Sequence, residues 1–167
     1  MGAKNQSAVL RDLQQAHGKI LDISRYMIPK GGVRIAYATF DAKDTKDVAV
    51  AANESVGFGI DEPITRIILT VMRFDPEVRA AVNIKLNDDI YQTVKETFIE
   101  VEKYDVAKYP KGISTMEWGV SFICKNGVPL AIAAENEPVT GGSIYILGTT
   151  PEEAANRILI ISERLQL

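Results

Sequence analysis

The stretch from Thr65 to Asn83 gathers Arg66, Arg73, Asp75, Arg79 and Asn83, the densest run of chemically useful side chains in the chain. Arginines grouped in this way can hold a phosphate or diphosphate, because a guanidinium presents a planar fork of charge-assisted donors. The plain alternative is a solvated helix face. Arg66 and Arg73 fall opposite Ile64, Ile67, Ile68 and Val71, which is where the polar side of an amphipathic helix belongs. A second group lies in Gly-Ile-Ser-Thr-Met-Glu-Trp-Gly, residues 112–119. Ser114 and Thr115 at a helix start would offer hydroxyls and free amides to an anion, and Trp118 an apolar ring to a heterocycle. A capped helix with a core tryptophan fits the same residues. Gly119 inside that helix costs about 1 kcal/mol relative to alanine, which implies close packing or close approach of a ligand. The third group is the polar loop from Glu135 to Gly142, either a surface connection or a cover for a ligand.

Other chemistries lack their residues. There is no glycine-rich phosphate loop of the nucleotide-binding kinds. The single histidine, His17, sits in an amphipathic helical pattern and reads as structural. The single cysteine, Cys124, falls beside Phe122 and Ile123 and reads as a small core residue, with no partner for a disulfide or a structural zinc. No metal site is expected.

The bulk numbers narrow the partners. The 167 residues suit one domain, residues 1–167, with enough chain to bury a core. A net charge of -3 and the absence of basic runs argue against direct nucleic-acid contact. No apolar stretch reaches the length of a membrane span and the first residues do not form a signal-peptide core, so a cytoplasmic location without membrane contact is expected. A homodimer is the default assembly for a domain of this size.

The elements that must position these residues alternate along the chain. Val9, Leu13, Ala16, Ile20, Ile23 and Met27 recur at helical spacing and predict one helix over Ser7–Met27, ended by Pro29 and Gly31-Gly32. Strands are predicted at Val33–Ala38, Val56–Ile60, Ala80–Leu86, Phe98–Tyr104, Pro129–Ala134 and Ser143–Leu147. The stretch Asp41–Asn53 is charged and alanine-rich, with no element assigned. Helices are predicted after Asp61-Glu62-Pro63, over Asp88–Thr97, from the capping box Ser114–Glu117 to about Lys125, and after Thr150-Pro151. Alternation of this kind defines a single-domain α/β fold, a layered and mixed sheet covered by helices.

Read in order, these segments resemble the ThiN-type thiamine-phosphate synthase domain over nearly the whole chain. The resemblance is carried by Ile28-Pro29 leading into Arg34–Ala38, Asp47-Val48-Ala49, Thr65–Thr70 with Met72, Phe74-Asp75-Pro76, Arg79-Ala80-Ala81, Asn83-Ile84-Lys85, Ser114-Thr115-Met116 with Trp118-Gly119-Val120, and Leu147-Gly148 before Pro151. It implies a domain that condenses a hydroxymethylpyrimidine diphosphate with a thiazole phosphate and releases pyrophosphate. It also implies ligand contacts from Arg66 and Ser114-Thr115, no tightly bound cofactor, and Mg2+ only in company with a diphosphate. The sequence departs from the family where Asp61-Glu62-Pro63 replaces a Ser-Ser-His stretch ahead of Arg66, and where an upstream basic segment is missing. Acidic groups beside a phosphate would repel it. The expected function is therefore a domain that binds thiamine phosphate or a related phosphorylated metabolite, with synthase activity lost or altered. A working synthase and a non-enzymatic scaffold are the alternatives.

Overall fold

The structure, a computed structural model, describes residues 5–52, 55–108, 115–138 and 140–165, apart from the side chains of residues 115–118. Among the described residues the order is α1 (Gln6–Lys19), β1 (Arg34–Ala38), β2 (Val48–Ala52), β3 (Ser55–Phe58), α2 (Pro63–Met72) and β4 (Ala80–Lys85). Then follow α3 (Asp88–Phe98), β5 (Val101–Asp105), α4 (Thr115–Cys124), β6 (Ala131–Glu135), β7 (Gly142–Gly148) and α5 (Pro151–Leu165). Seven strands form one sheet in the order β3-β2-β1-β4-β7-β6-β5. Every pairing is antiparallel except β5 with β6, which are joined by α4 as a parallel pair requires. The sheet is mixed, as expected.

Helices cover both faces. On one side α1, α3 and α5 pack on Ile35, Tyr37, Ala49, Ala51, Val82, Ile84, Ala131, Ala133, Ile144 and Ile146. On the other, α2 and α4 pack on Ala36, Ala38, Val48, Val50, Ala81, Ile132, Ala134 and Leu147. A sheet buried on both faces loses the apolar-polar alternation of a half-exposed one. The strands accordingly read as apolar runs rich in alanine, whose small side chains let the helices lie close.

Element ends shift by a few residues, as where the strand expected from Phe98 starts at Val101, and two expectations change more deeply. The helix predicted over Ser7–Met27 stops at Lys19, where the Ile20 amide turns back to the His17 carbonyl at 3.2 Å. A short turn at Arg25–Met27, started by the Ser24 hydroxyl, keeps Ile20, Ile23 and Met27 on the buried side without a continuous helix. The stretch Asp41–Asn53 contains a strand, β2. Its alanines face α1 and its valines face the layer of α2, so only Val48 and Val50 carry a strand signal and the alanine side carries none.

Gly119 has a packing reason. A Cβ added there would lie 2.3 Å from Tyr104 Cδ2, and Tyr104 is 5% exposed. The helix and the strand it covers can meet only if this position has no side chain. The Gly119→Ala substitution is therefore expected to destabilise the domain by about 1–3 kcal/mol through overpacking, read as a lowered midpoint in denaturant unfolding. An unchanged midpoint would mean that the tyrosine ring has room to move. Cys124 is 1% exposed and burial pushes its thiol up to about 11, the behaviour of a core residue rather than a nucleophile.

Candidate functional site

Strand register creates a polar row on the α2 side of the sheet. Ile35 pairs with Val82, which brings Arg34 beside Asn83, and Asn83 pairs directly with Tyr145. One row thus carries Arg34, Asn83 and Tyr145 across β1, β4 and β7, at the end of the sheet where α2 begins. The Arg34 amide donates to Asn83 Oδ1 at 2.6 Å, which explains how an asparagine can be 6% exposed in a sheet interior.

The row forms the floor of a cleft of about 180 Å3 lined by Lys30, Gly31-Gly32, Arg34, Glu62, Pro63, Asn83, Glu137, Thr140 and Tyr145. Its walls are set by two loops. Gly31 and Gly32 adopt φ of 90° and 93°, a region that favours glycine, and turn their carbonyls toward Arg34 Nη1 at 2.6 and 3.3 Å. Arg34 Nε is held by both oxygens of Glu62 at 3.0 and 3.1 Å. Glu62 caps α2 in a reciprocal arrangement with Thr65, and Pro63 occupies the first turn. One guanidinium therefore fixes the glycine turn, the first strand and the start of α2 relative to one another. No described residue accepts from its Nη2.

The opposite wall is the β6–β7 loop. Asn136, at φ 58°, and Gly141, at φ 81°, bend this loop back over the sheet, and Asn136 Nδ2 donates to Asp105 Oδ1 at 2.8 Å. The bend drives Glu137 inward until it is 3% exposed. Its Oε2 accepts from the Tyr145 hydroxyl at 2.5 Å and its Oε1 from the Thr140 hydroxyl at 3.0 Å. Burial first, and then the charge and hydrogen bond of Glu137, push the Tyr145 hydroxyl well above its ordinary range. Tyr145 therefore remains a donor. Among the described residues no lysine or arginine pairs with Glu137, although burying an unpaired carboxylate costs several kcal/mol.

The candidates read from the sequence are dispersed over this frame. Asn83 lies in the cleft. Arg66 lies one turn along α2 and lines a separate open cleft of about 590 Å3 with Arg73, Lys43 and Phe40. Its Nε and Nη2 hold both oxygens of Asp61 at 3.0 and 2.9 Å. Asp75 shapes the turn after α2, where its side chain accepts from the Glu77 amide at 3.1 Å. Arg79, 3% exposed, donates through Nε to the Ala38 carbonyl at 3.0 Å and stacks over the rings of Tyr37 and Phe40. Ser114 lies outside the described residues; Thr115 and Trp118 are placed in the first part of α4 and their side chains are outside them. Arg34, Glu62, Glu137 and Tyr145 were not among the sequence candidates. The signals were the Gly31-Gly32 turn just ahead of a strand that starts with arginine, and an acid inside the polar loop Glu135–Gly142.

The chain is a three-layer α/β domain with a cleft of buried polar groups at one end of its sheet. The chain belongs to the thiamine-phosphate synthase ThiN family, whose model matches residues 12–160. It is similar to the bifunctional thiamine biosynthesis protein ThiDN of Methanocaldococcus jannaschii, with 29% identity over 174 residues. That match takes in 95% of this chain and 42% of the relative, so the chain spans less than half the length of that protein. Among solved structures, the C-terminal domain of protein MJ0236 superposes with a TM-score of 0.85 at 29% identity, covering 98% of this chain and 100% of that one. The C-terminal domain of a phosphomethylpyrimidine kinase does so at 0.83 and 27%, covering 94% and 100%.

The hydrogen bonds and charge of Arg66 hold the Asp61 carboxyl below the ordinary aspartate range. A lowered folded pKa means stability that is present above the unfolded value of about 3.9 and lost as pH falls through the folded one. The pair is half-exposed, so its contribution is at most about 1 kcal/mol. Carboxyl-detected NMR is expected to show Asp61 titrating low in the wild type and moving up to the ordinary range in Arg66→Ala. The same midpoint in both proteins would mean that the ion pair does not persist in solution.

Proposed function

We propose that this domain binds thiamine phosphate or a related phosphorylated precursor of it, and that its synthase chemistry is weakened or lost. One observation carries the reading. The two arginines nearest the start of α2 are each held by the chain's own carboxylates, Arg34 by Glu62 and Arg66 by Asp61. A diphosphate leaving group needs positive charge that is available as it departs. Here Arg66 already meets Asp61 through two donors, and Arg34 Nε is shared between both oxygens of Glu62. The helix N-terminus, otherwise an anion site, carries Glu62 as its cap. The names of the relatives support the substrate class, because they concern thiamine biosynthesis and the phosphomethylpyrimidine.

One feature of the Arg66–Asp61 pair favours a second reading, a working synthase. The Arg66–Asp61 pair has side chains 32% and 50% exposed, and a half-solvated pair is cheap to exchange for a diphosphate. In that case Mg2+ would travel with the diphosphate rather than reside in the protein. No tightly bound cofactor, nucleic acid or membrane enters either reading, and the cytoplasm remains the proposed location.

Thermal-shift titration separates them. Thiamine phosphate is expected to raise the melting temperature saturably, since a ligand selective for the folded state stabilises it by mass action. Pyrophosphate release from the two substrates with Mg2+ is expected to stay at background. Release abolished by Arg66→Ala would install the synthase reading instead. No shift at millimolar thiamine phosphate would sink the binding reading.

A further inference from the structure

From the buried carboxylate of the cleft we infer that Glu137 is a recognition group for a planar heterocycle presenting an amidine-type N–H edge, protonated or cationic when bound. The inference rests on the reading that this cleft is the ligand site, and names the part of the ligand it takes.

Three observations converge on Glu137. First, the residue is 3% exposed and its described partners are two neutral hydroxyls, of Tyr145 and Thr140. Two hydroxyl donors leave lone pairs on a carboxylate free and leave its charge unbalanced. The other acid of the cleft, Glu62, is already matched by Arg34. Lys30 lines the same cleft but forms no ion pair with Glu137, so among the described residues the buried carboxylate has no cation in contact with it, and buried charges call for a partner.

Second, the burial is built. Positive φ at Asn136 and Gly141, the Gly141 amide bond to the Glu137 carbonyl at 2.8 Å, and the Asn136–Asp105 contact all bend the loop that delivers the carboxylate. An exposed loop with no other task would leave a glutamate in water, where its charge is solvated. Asn136 in the left-handed region marks a conformation held by surrounding contacts.

Third, the cleft has the size and lining of one ring. Its volume of about 180 Å3 lies below the roughly 300–1,000 Å3 of pockets that enclose drug-sized ligands. Pro63, Ile64 and the Tyr145 ring offer apolar contact, Asn83 adds an amide, and the arginine at the far wall is engaged by Glu62. At the Glu137 wall an anionic group would be repelled, whatever Lys30 offers at the rim of the glycine turn. A flat cation or a neutral amino-heterocycle that accepts a proton gains an ion pair and two parallel N–H···O bonds. Within the proposed ligand the matching part is the aminopyrimidine ring, leaving the phosphate outside the cleft toward solvent.

The test titrates benzamidine and 4-amino-5-hydroxymethyl-2-methylpyrimidine into the wild type and into Glu137→Gln, which keeps the shape and an acceptor but removes the charge. Calorimetry is expected to give saturable binding to the wild type and a loss of at least about tenfold in the variant. Equal affinity for both proteins would overturn the inference, as would no binding of either probe at millimolar concentration. If the variant does not fold, carboxyl NMR of the wild type replaces it. The Glu137 signal is then expected to move on adding benzamidine, and a static signal beside shifts elsewhere would overturn the assignment. The two readings fail separately. Thiamine phosphate bound equally by wild type and Glu137→Gln removes this inference alone; probes bound through Glu137 while thiamine phosphate gives no shift remove only the thiamine-phosphate reading.

Discussion

The contact of Arg34 with Glu62 is the constraint on which the end of the molecule with the cleft depends. A single guanidinium joins the Gly31-Gly32 turn, the first residue of β1 and the cap of α2, and its own amide anchors Asn83 on β4. With side chains 25% and 27% exposed, the pair is drier than a surface bridge and reinforced by carbonyl acceptors. Pairs of this kind are worth less for net stability than for the geometry they specify, because desolvation offsets much of the attraction. Removing one partner would leave the other half-buried and uncompensated. The geometry in turn decides the electrostatics. With Glu62 turned toward Arg34, the carboxylate left without a cation in contact is Glu137, on the opposite wall.

The sheet, its helices and the match over residues 12–160 place the chain in the ThiN family. Fold alone does not carry activity, which lives in particular side chains. In this chain Asp61 and Glu62 stand directly before α2, and each engages an arginine, Arg66 and Arg34 respectively. The acids thus act at the helix start, where positive potential is greatest. The β6–β7 loop contributes the opposite kind of feature, a carboxylate placed where no cation of the described chain reaches it.

Much of the fold was legible from residue patterns, and the reasons for the exceptions are physical. The α2 helix announced itself through Pro63 and the spacing of Ile64, Ile67, Ile68 and Val71, all buried as that spacing requires. Strand β2 did not, because alanines packed under α1 carry no strand signal of their own. The site was harder to read than the fold. Arg66, Arg79 and Asn83 are near in sequence yet point to three different places, because a helix, a turn and a strand separate them. Conversely, Arg34, Asn83 and Tyr145 are far apart in sequence and adjacent only through strand register. No spacing rule reports a row across three strands. The Glu137–Tyr145 bond depends on backbone angles at Asn136 and Gly141 that composition does not reveal.

The central claim is that carboxylates at the start of α2 occupy the arginines that a diphosphate would need. It is tested most directly by calorimetric titration of inorganic pyrophosphate, with Mg2+, into the wild type and into Asp61→Ser/Glu62→Ser. The account predicts weak or undetectable binding to the wild type and a gain of about tenfold or more in the double variant, the scale of one freed charge-assisted contact. Tight binding to the wild type, unchanged in the double variant, would contradict it.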